Sequence, residues 1–117
     1  MHIKSSSSKK VILFESLASE IGSEETLKKA DIICRSLANK IKKNFKKIDL
    51  ILAPAMGGII IGYEIGKLLN KETIFCERVN GKFSLRRGFF IKKNSRVLIV
   101  EDVITTGKSS IECVKLI

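Results

Sequence analysis

Apolar residues recur along this chain in two rhythms. Between Glu24 and about Phe45, Leu27, Ala30, Cys34, Leu37, Ala38 and Ile41 follow three- and four-residue steps, the period of one helix face. Ser23 is placed to cap that helix, and Glu24 and Glu25 complement the positive end of its dipole. Ile59–Leu69 predicts a second helix, in which Gly62 and Gly66 stand four apart for close packing. A third helix is predicted to begin near Ser109. The other rhythm is short and continuous. Ile48–Ala53 (broken only by Asp49), Thr73–Glu77 and Val97–Val100 predict strands, and Val11–Phe14 a further short one. Phe83–Ile91 predicts an extended segment. Pro54–Gly58 and Asn94-Ser95 predict turns, and Val79–Lys82 a polar loop. The polar start, Met1–Lys10, with serines at positions 5 to 8, predicts a loop.

Apolar strands alternating with helices indicate an α/β fold, with a mainly parallel sheet flanked by helices. The 117 residues fit one domain, without internal repeat or linker. Ligands of such sheets bind beyond the carboxyl ends of the strands, which here directs attention to three loops: Pro54–Gly58, Arg78–Lys82 and Glu101–Ser109.

Composition narrows the field. Apolar residues make up 44% and charged residues 29%, the balance of a folded globular chain. No apolar run suits a signal-peptide core or a membrane span, so a cytoplasmic location without membrane attachment is expected. Three widely spaced cysteines (Cys34, Cys76, Cys113) and one histidine argue for buried reduced thiols rather than a disulfide framework or a zinc site. A net charge of +10 suits a polyanionic partner, either nucleic acid or a small phosphorylated ligand. The lysine runs Lys40–Lys47 and Lys92–Arg96 hold few aromatics and read as solvated faces, which makes nucleic acid the weaker choice.

The chemistry is densest in Val97–Ser109. Four apolar residues end in two acids, Glu101 and Asp102, followed by Val103, Ile104, Thr105, Thr106, Gly107, Lys108 and Ser109. Backbone N–H groups and hydroxyls of Thr105–Ser109, at the start of a helix, suit a phosphate, and Gly107 permits the close approach. Carboxylates beside an anion site make sense when the ligand also presents hydroxyls, as a ribose 5-phosphate does.

This stretch resembles the 5-phosphoribosyl 1-diphosphate (PRPP) signature of type I phosphoribosyltransferases. With Ala53–Ile59, Phe75–Arg78 and Gly81–Phe89 in order and spacing, the chain from about Ile48 to Ile117 resembles orotate phosphoribosyltransferase. The resemblance implies transfer of the phosphoribosyl group from PRPP to orotate in pyrimidine synthesis. It implies that Glu101 and Asp102 hold the ribose hydroxyls, that Thr105–Ser109 hold the 5-phosphate, and that Thr105 also approaches orotate. Ala55, Met56, Gly57 and Gly58 would form the pyrophosphate loop. Arg78 and Lys82 would belong to a mobile catalytic loop reaching a neighbouring subunit, with Lys82 and Asp102 as catalytic residues. A homodimer is expected, with Mg²⁺ carried mainly by PRPP and no direct protein ligand to the metal.

The chain departs from the family pattern at Gly57, Val79 and Ser84, where many or some relatives carry Lys, Lys and His. Residues 1–22 match the pattern poorly. Later strands, and an arginine for the orotate carboxylate, are expected beyond Ile117, so the chain resembles a truncated enzyme. Arg86 and Arg87 serve either anionic substrates, a dimer contact or the surface. Alternatives to the enzyme are a non-catalytic PRPP-binding remnant and a regulatory nucleic-acid-binding module; a purine phosphoribosyltransferase fits Gly81–Phe89 less well.

Overall fold

The computed structural model describes residues 2–6, 9–13, 24–102 and 106–117. In chain order its elements are β1 (His2–Ser6), β2 (Lys9–Leu13), α1 (Glu24–Asn44), β3 (Leu50–Pro54), α2 (Gly57–Leu69), β4 (Thr73–Val79), β5 (Lys82–Leu85), β6 (Val97–Ile99) and α3 (Lys108–Val114). Among the described residues the strands form one sheet in the order β1-β2-β6-β3-β4-β5. The four inner strands pair in parallel: Val11 lies opposite Ile99, Leu52 opposite Ile99, and Ala53 opposite Phe75. Each edge is an antiparallel hairpin, β1 with β2 and β4 with β5.

The alternation along the inner strands sorts the core onto two faces. Ile51, Leu98 and Val100 pack with Cys34, Leu37, Ala38 and Ile41 of α1 and with Ile61 and Ile65 of α2. Leu50, Leu52, Val97 and Ile99 face the other way, with Ile74, Cys76, Phe83 and Cys113. Each fully buried aliphatic side chain contributes about 1.5–3 kcal/mol relative to exposure. Of the apolar stripe predicted from Leu27 to Ile41, Cys34, Leu37, Ala38 and Ile41 therefore lie on the face that α1 buries, and the side chains of Leu27 and Ala30 lie outside the described residues. Gly62 and Gly66 do what their spacing suggests. A Cβ at Gly62 would stand 2.7 Å from the Cβ of Ala53, and one at Gly66 would meet Thr73, so α2 lies directly on β3 and β4. Thr73 Oγ1 donates to the Gly62 carbonyl at 3.0 Å and fixes that contact.

Several boundaries differ from expectation. Met1–Lys10 was expected to be a loop, yet His2–Ser6 and Lys9–Leu13 are paired strands, with Ser5 opposite Lys10. An edge hairpin is joined through backbone groups, and polar side chains do not prevent it. Val79–Lys82 is not an open loop but the tip of the β4–β5 hairpin, where Val79 pairs with Lys82. Asn80 and Gly81 both take left-handed φ, 51° and 78°. Paired left-handed residues match the strand twist in two-residue hairpins, and Asn-Gly is the favoured dipeptide for it. The segment Phe83–Ile91 stays a strand only to Leu85, because Arg87 and Gly88 turn the chain at positive φ. Phe14 and the proposed cap Ser23 lie outside the described residues. No helix among the described residues is long and apolar enough to cross a membrane.

Candidate functional site

Parallel pairing brings the carboxyl ends of β3, β4 and β6 side by side, and the three loops singled out in the sequence follow from those ends. At β3, Pro54 is buried and Ala55 N–H donates to the Cys76 carbonyl at 2.7 Å, tying the turn to β4. The Ala55–Met56 peptide is cis, and α2 begins at Gly57, two residues earlier than its apolar pattern suggests. Met56 points away from the protein, 84% exposed.

Two glycines let this turn meet the end of β6. A Cβ at Gly58 would stand 3.0 Å from the Val100 carbonyl oxygen and 3.6 Å from the Glu101 Cα. A Cβ at Gly57 would overlap the Asp102 carboxylate. The expected pyrophosphate loop and the acidic pair are thus in contact, and a side chain at position 57 would displace the Asp102 carboxylate from its present place.

The two acids behave differently. Glu101 is buried, and its Oε2 accepts the Ser110 hydroxyl at 2.6 Å. Burial pushes its carboxyl above the ordinary glutamate range; the Ser110 bond opposes that shift, and the nearby Asp102 charge adds to it. Glu101 therefore braces α3 against β6. Asp102 is half-buried and turns toward the turn at Gly57. Of the two, Asp102 is the carboxylate better placed to accept hydrogen bonds from a ligand.

Val103, Ile104 and Thr105 lie outside the described residues, so the positions assigned to them, including Thr105 at orotate, are not described further. Beyond them Thr106 Oγ1 accepts the Lys108 N–H at 3.3 Å, and Gly107 takes φ 79° at the start of α3. Thr106 and Lys108 are exposed and Ser109 is half-buried.

Arg78 links the β4–β5 hairpin to this region. Its Nη1 donates to the Gly81 carbonyl at 2.9 Å and lies 2.8 Å from Glu112 Oε2. Its Nη2 reaches Ser109 Oγ at 3.5 Å, and its guanidinium stacks 4.1 Å from the Phe83 ring centre. Lys82 begins β5, exposed, and has no carboxylate partner among the described residues. Arg86 and Arg87 both turn to Glu77, at 3.2 and 3.5 Å, so this structure uses them to hold the segment after β5 against β4.

The structure therefore joins Gly57, Gly58, Glu101 and Asp102 at one place, and Arg78 with Ser109 at another. Lys82 stands apart from both in its contacts. Sequence reading missed Ser110, Glu112 and Glu77, the partners of Glu101, Arg78 and the arginine pair. Nothing local marks them, because each meets its partner only once the strands and α3 have packed. The Asn80-Gly81 dipeptide is the one signal available in the sequence that would have found the hairpin. Among the described residues no group of three or more His, Cys, Asp or Glu is placed to hold a metal ion.

Residues 23–117 match the phosphoribosyl transferase domain family. The chain is 44% identical over 93 residues to an orotate phosphoribosyltransferase of Helicobacter pylori (strain Shi470), covering 80% of this chain and 46% of that protein. It is 49% identical over 90 residues to the orotate phosphoribosyltransferase of Sphingopyxis alaskensis, covering 76% and 46%. The chain thus spans about half the length of these relatives. Among solved structures it resembles an adenine phosphoribosyltransferase from Leishmania tarentolae, with a TM-score of 0.65 at 15% identity over 98% of this chain and 74% of that one. A second resemblance is to an adenine phosphoribosyl transferase from Trypanosoma brucei, with a TM-score of 0.61 at 23% identity over 80% and 46%. These two likenesses speak to the fold.

Proposed function

The chain belongs to the phosphoribosyl transferase domain family, and from that membership we propose that the protein transfers the phosphoribosyl group of PRPP to orotate, giving orotidine 5′-monophosphate and pyrophosphate, a step of pyrimidine synthesis. The contact of Gly57 with Asp102 carries this reading. It supports the reading in which the turn takes the leaving pyrophosphate and the neighbouring carboxylate takes the ribose. Identities of 44–49% to relatives named for this activity support the choice of orotate.

Displacing pyrophosphate from the anomeric carbon builds positive charge on the ribose and negative charge on the departing oxygens. Asp102 is the carboxylate proposed to tolerate the cationic sugar and accept a ribose hydroxyl; Glu101, held by Ser110, joins the end of β6 to α3. Thr106–Ser109 are the residues proposed to supply backbone N–H groups and hydroxyls to the 5-phosphate. Arg78 and Lys82 are the cations for the leaving group, worth most where water is excluded. Lys82, exposed and without a carboxylate partner among the described residues, is available to act in a neighbouring subunit's site, as a homodimer requires. Mg²⁺, carried mainly by PRPP, would supply charge neutralisation for the departing oxygens beside Arg78 and Lys82. Asp102 offers a single carboxylate, which suits a Mg²⁺ whose remaining positions are filled by substrate phosphates and water rather than by a protein cage. A cytoplasmic site of action accords with these substrates.

The test is an assay of orotate consumption with PRPP and Mg²⁺, comparing the protein with Lys82→Ala. Loss of about 10²-fold or more in turnover is expected, the usual effect of removing one group that stabilises transition-state charge. Equal turnover in both would remove Lys82 from the mechanism. PRPP binding without turnover in either would replace the enzyme with a PRPP-binding module.

A further inference from the structure

α3 touches β4 through two neighbouring side-chain contacts. Cys113 meets Cys76, sulfur to sulfur at 3.5 Å, and Glu112 meets Arg78, two residues further along the strand. Residues two apart on a strand share a face, so Cys76 and Arg78 both turn toward α3. Ser109 stands one helical turn before Glu112, on the same side of α3. The Arg78 guanidinium divides between these two. Its Nη1 lies 2.8 Å from Glu112 Oε2, and its Nη2 reaches Ser109 Oγ at 3.5 Å.

The contact with Glu112 is one of charge. Glu112 Oε2 is shut off from solvent and has no hydrogen-bond partner among the described residues, while Arg78 Nη1 gives its hydrogen bond to the Gly81 carbonyl at 2.9 Å. Opposite charges 2.8 Å apart attract without that alignment. The Phe83 ring, stacked 4.1 Å away, sets the plane of the guanidinium. Glu112, Gly81 and Phe83 thus fix the plane and the Nη1 edge of the fork, and the Nη2 edge is turned to Ser109. An arginine left 42% exposed and unheld would sample many rotamers, and a ligand would have to order it on binding.

We propose that Glu112 is a positioning residue, which holds the Arg78 guanidinium beside Ser109 so that the cation is in place before PRPP arrives. The assignment rests on the reading of Arg78 as a cation for PRPP. Glu112 acts through Arg78 and not on the ligand. Its carboxylate engages Nη1 rather than Nη2, so it orients the arginine without occupying the edge that faces Ser109. An ion pair that served the fold alone would do so wherever the second nitrogen pointed.

The probe is PRPP with Mg²⁺, titrated calorimetrically into the protein and its variants. Glu112→Gln keeps the shape of the side chain and removes its charge. It is expected to weaken PRPP binding by about three- to tenfold, the cost of ordering one long side chain on binding, with an unchanged circular dichroism spectrum. In an Arg78→Met background the same substitution should change affinity by less than about twofold, because the group through which Glu112 acts is gone. Glu72→Gln removes an equal charge just before β4, roughly 20 Å from Arg78 along the strand, and should also stay within about twofold. Unchanged affinity in Glu112→Gln, or equal weakening with and without Arg78, would overturn the proposal and leave Glu112 a stabilising ion pair. Tighter binding would overturn it too, by making Glu112 a charge that competes with the ligand. In all these outcomes the wild-type protein binds PRPP. Absence of PRPP binding by wild type would instead remove the function proposed above, and the positioning role with it.

Discussion

The carboxylate of Asp102 occupies the volume that a side chain at position 57 would fill, so Gly57 and Asp102 form a matched pair across the ends of β3 and β6. Many phosphoribosyltransferases of the orotate type carry lysine at this turn position; here glycine and aspartate share the space. Gly57→Ala should leave the fold intact, since alanine favours the first turn of α2. It should also displace Asp102 and weaken PRPP binding by about tenfold, the loss of roughly one hydrogen bond to a charged group. Calorimetry with PRPP measures this; unchanged affinity would mean that Asp102 does not need its present position.

Arg78 and Lys82 differ in what they contribute to stability. Arg78→Met removes a partly exposed ion pair with Glu112 and the stacking on Phe83. Screening keeps the ion pair small, so the combined loss should be about 1 kcal/mol in denaturant unfolding. Lys82→Ala, at an exposed position, should fall within about 0.5 kcal/mol of wild type. Equal destabilisation by both variants would contradict the bracing role given to Arg78.

Glu101 makes stability depend on pH. Burial raises its folded pKa above the ordinary 4.5, so the native state holds its proton more tightly than the unfolded state. Stability from this group is therefore greatest at acid pH and declines as pH rises from 4.5 through the higher folded value. Glu101→Gln keeps an acceptor for Ser110 without the buried charge. Urea unfolding followed across pH should show that decline flattened in the variant, and greater stability than wild type at neutral pH. A steeper or unchanged slope would assign the burial cost elsewhere.

The hairpin tip has a backbone requirement. Gly81 sits at φ 78° with open space where a Cβ would point, so crowding is not the obstacle. Gly81→Ala should still cost about 1–2 kcal/mol in unfolding free energy, because left-handed backbone is unfavourable for L-residues. Hydrogen exchange at Arg78 and Phe83 should rise in parallel; a neutral substitution would show that the turn is not populated as described.

The thiols should be inert while the protein is folded. Cys76 and Cys113 touch at 3.5 Å between sulfurs, and all three cysteines are buried. Their mutual hydrogen bond pushes the Cys113 thiol up and the Cys76 thiol down, and burial raises Cys34. Iodoacetamide should label none of the three until denaturant is added. Rapid labelling of Cys76 under native conditions would show that the β4–α3 contact opens.

Much of this protein is legible without its coordinates. The step of three and four from Cys34 to Ile41 determines which face of α1 is buried, because a helix can hide only a stripe. The apolar runs at Ile48–Ala53, broken only by Asp49, and at Val97–Val100 determine strands covered on both faces. Gly62 and Gly66 announce a close helix–sheet contact. The residue types of Glu101–Ser109 carry the features on which a phosphate site is proposed. What the tertiary structure decided is how polar groups are shared. Two adjacent acids look alike in sequence, yet one is bound by Ser110 on α3 and the other is turned toward Gly57. Arg78 and Lys82 are both cations at the end of β4 and start of β5, yet one is anchored to α3 and the other has no carboxylate partner among the described residues. The physical reason is range: hydrophobic period acts along the chain, while hydrogen bonds and ion pairs depend on which strand ends the sheet sets side by side.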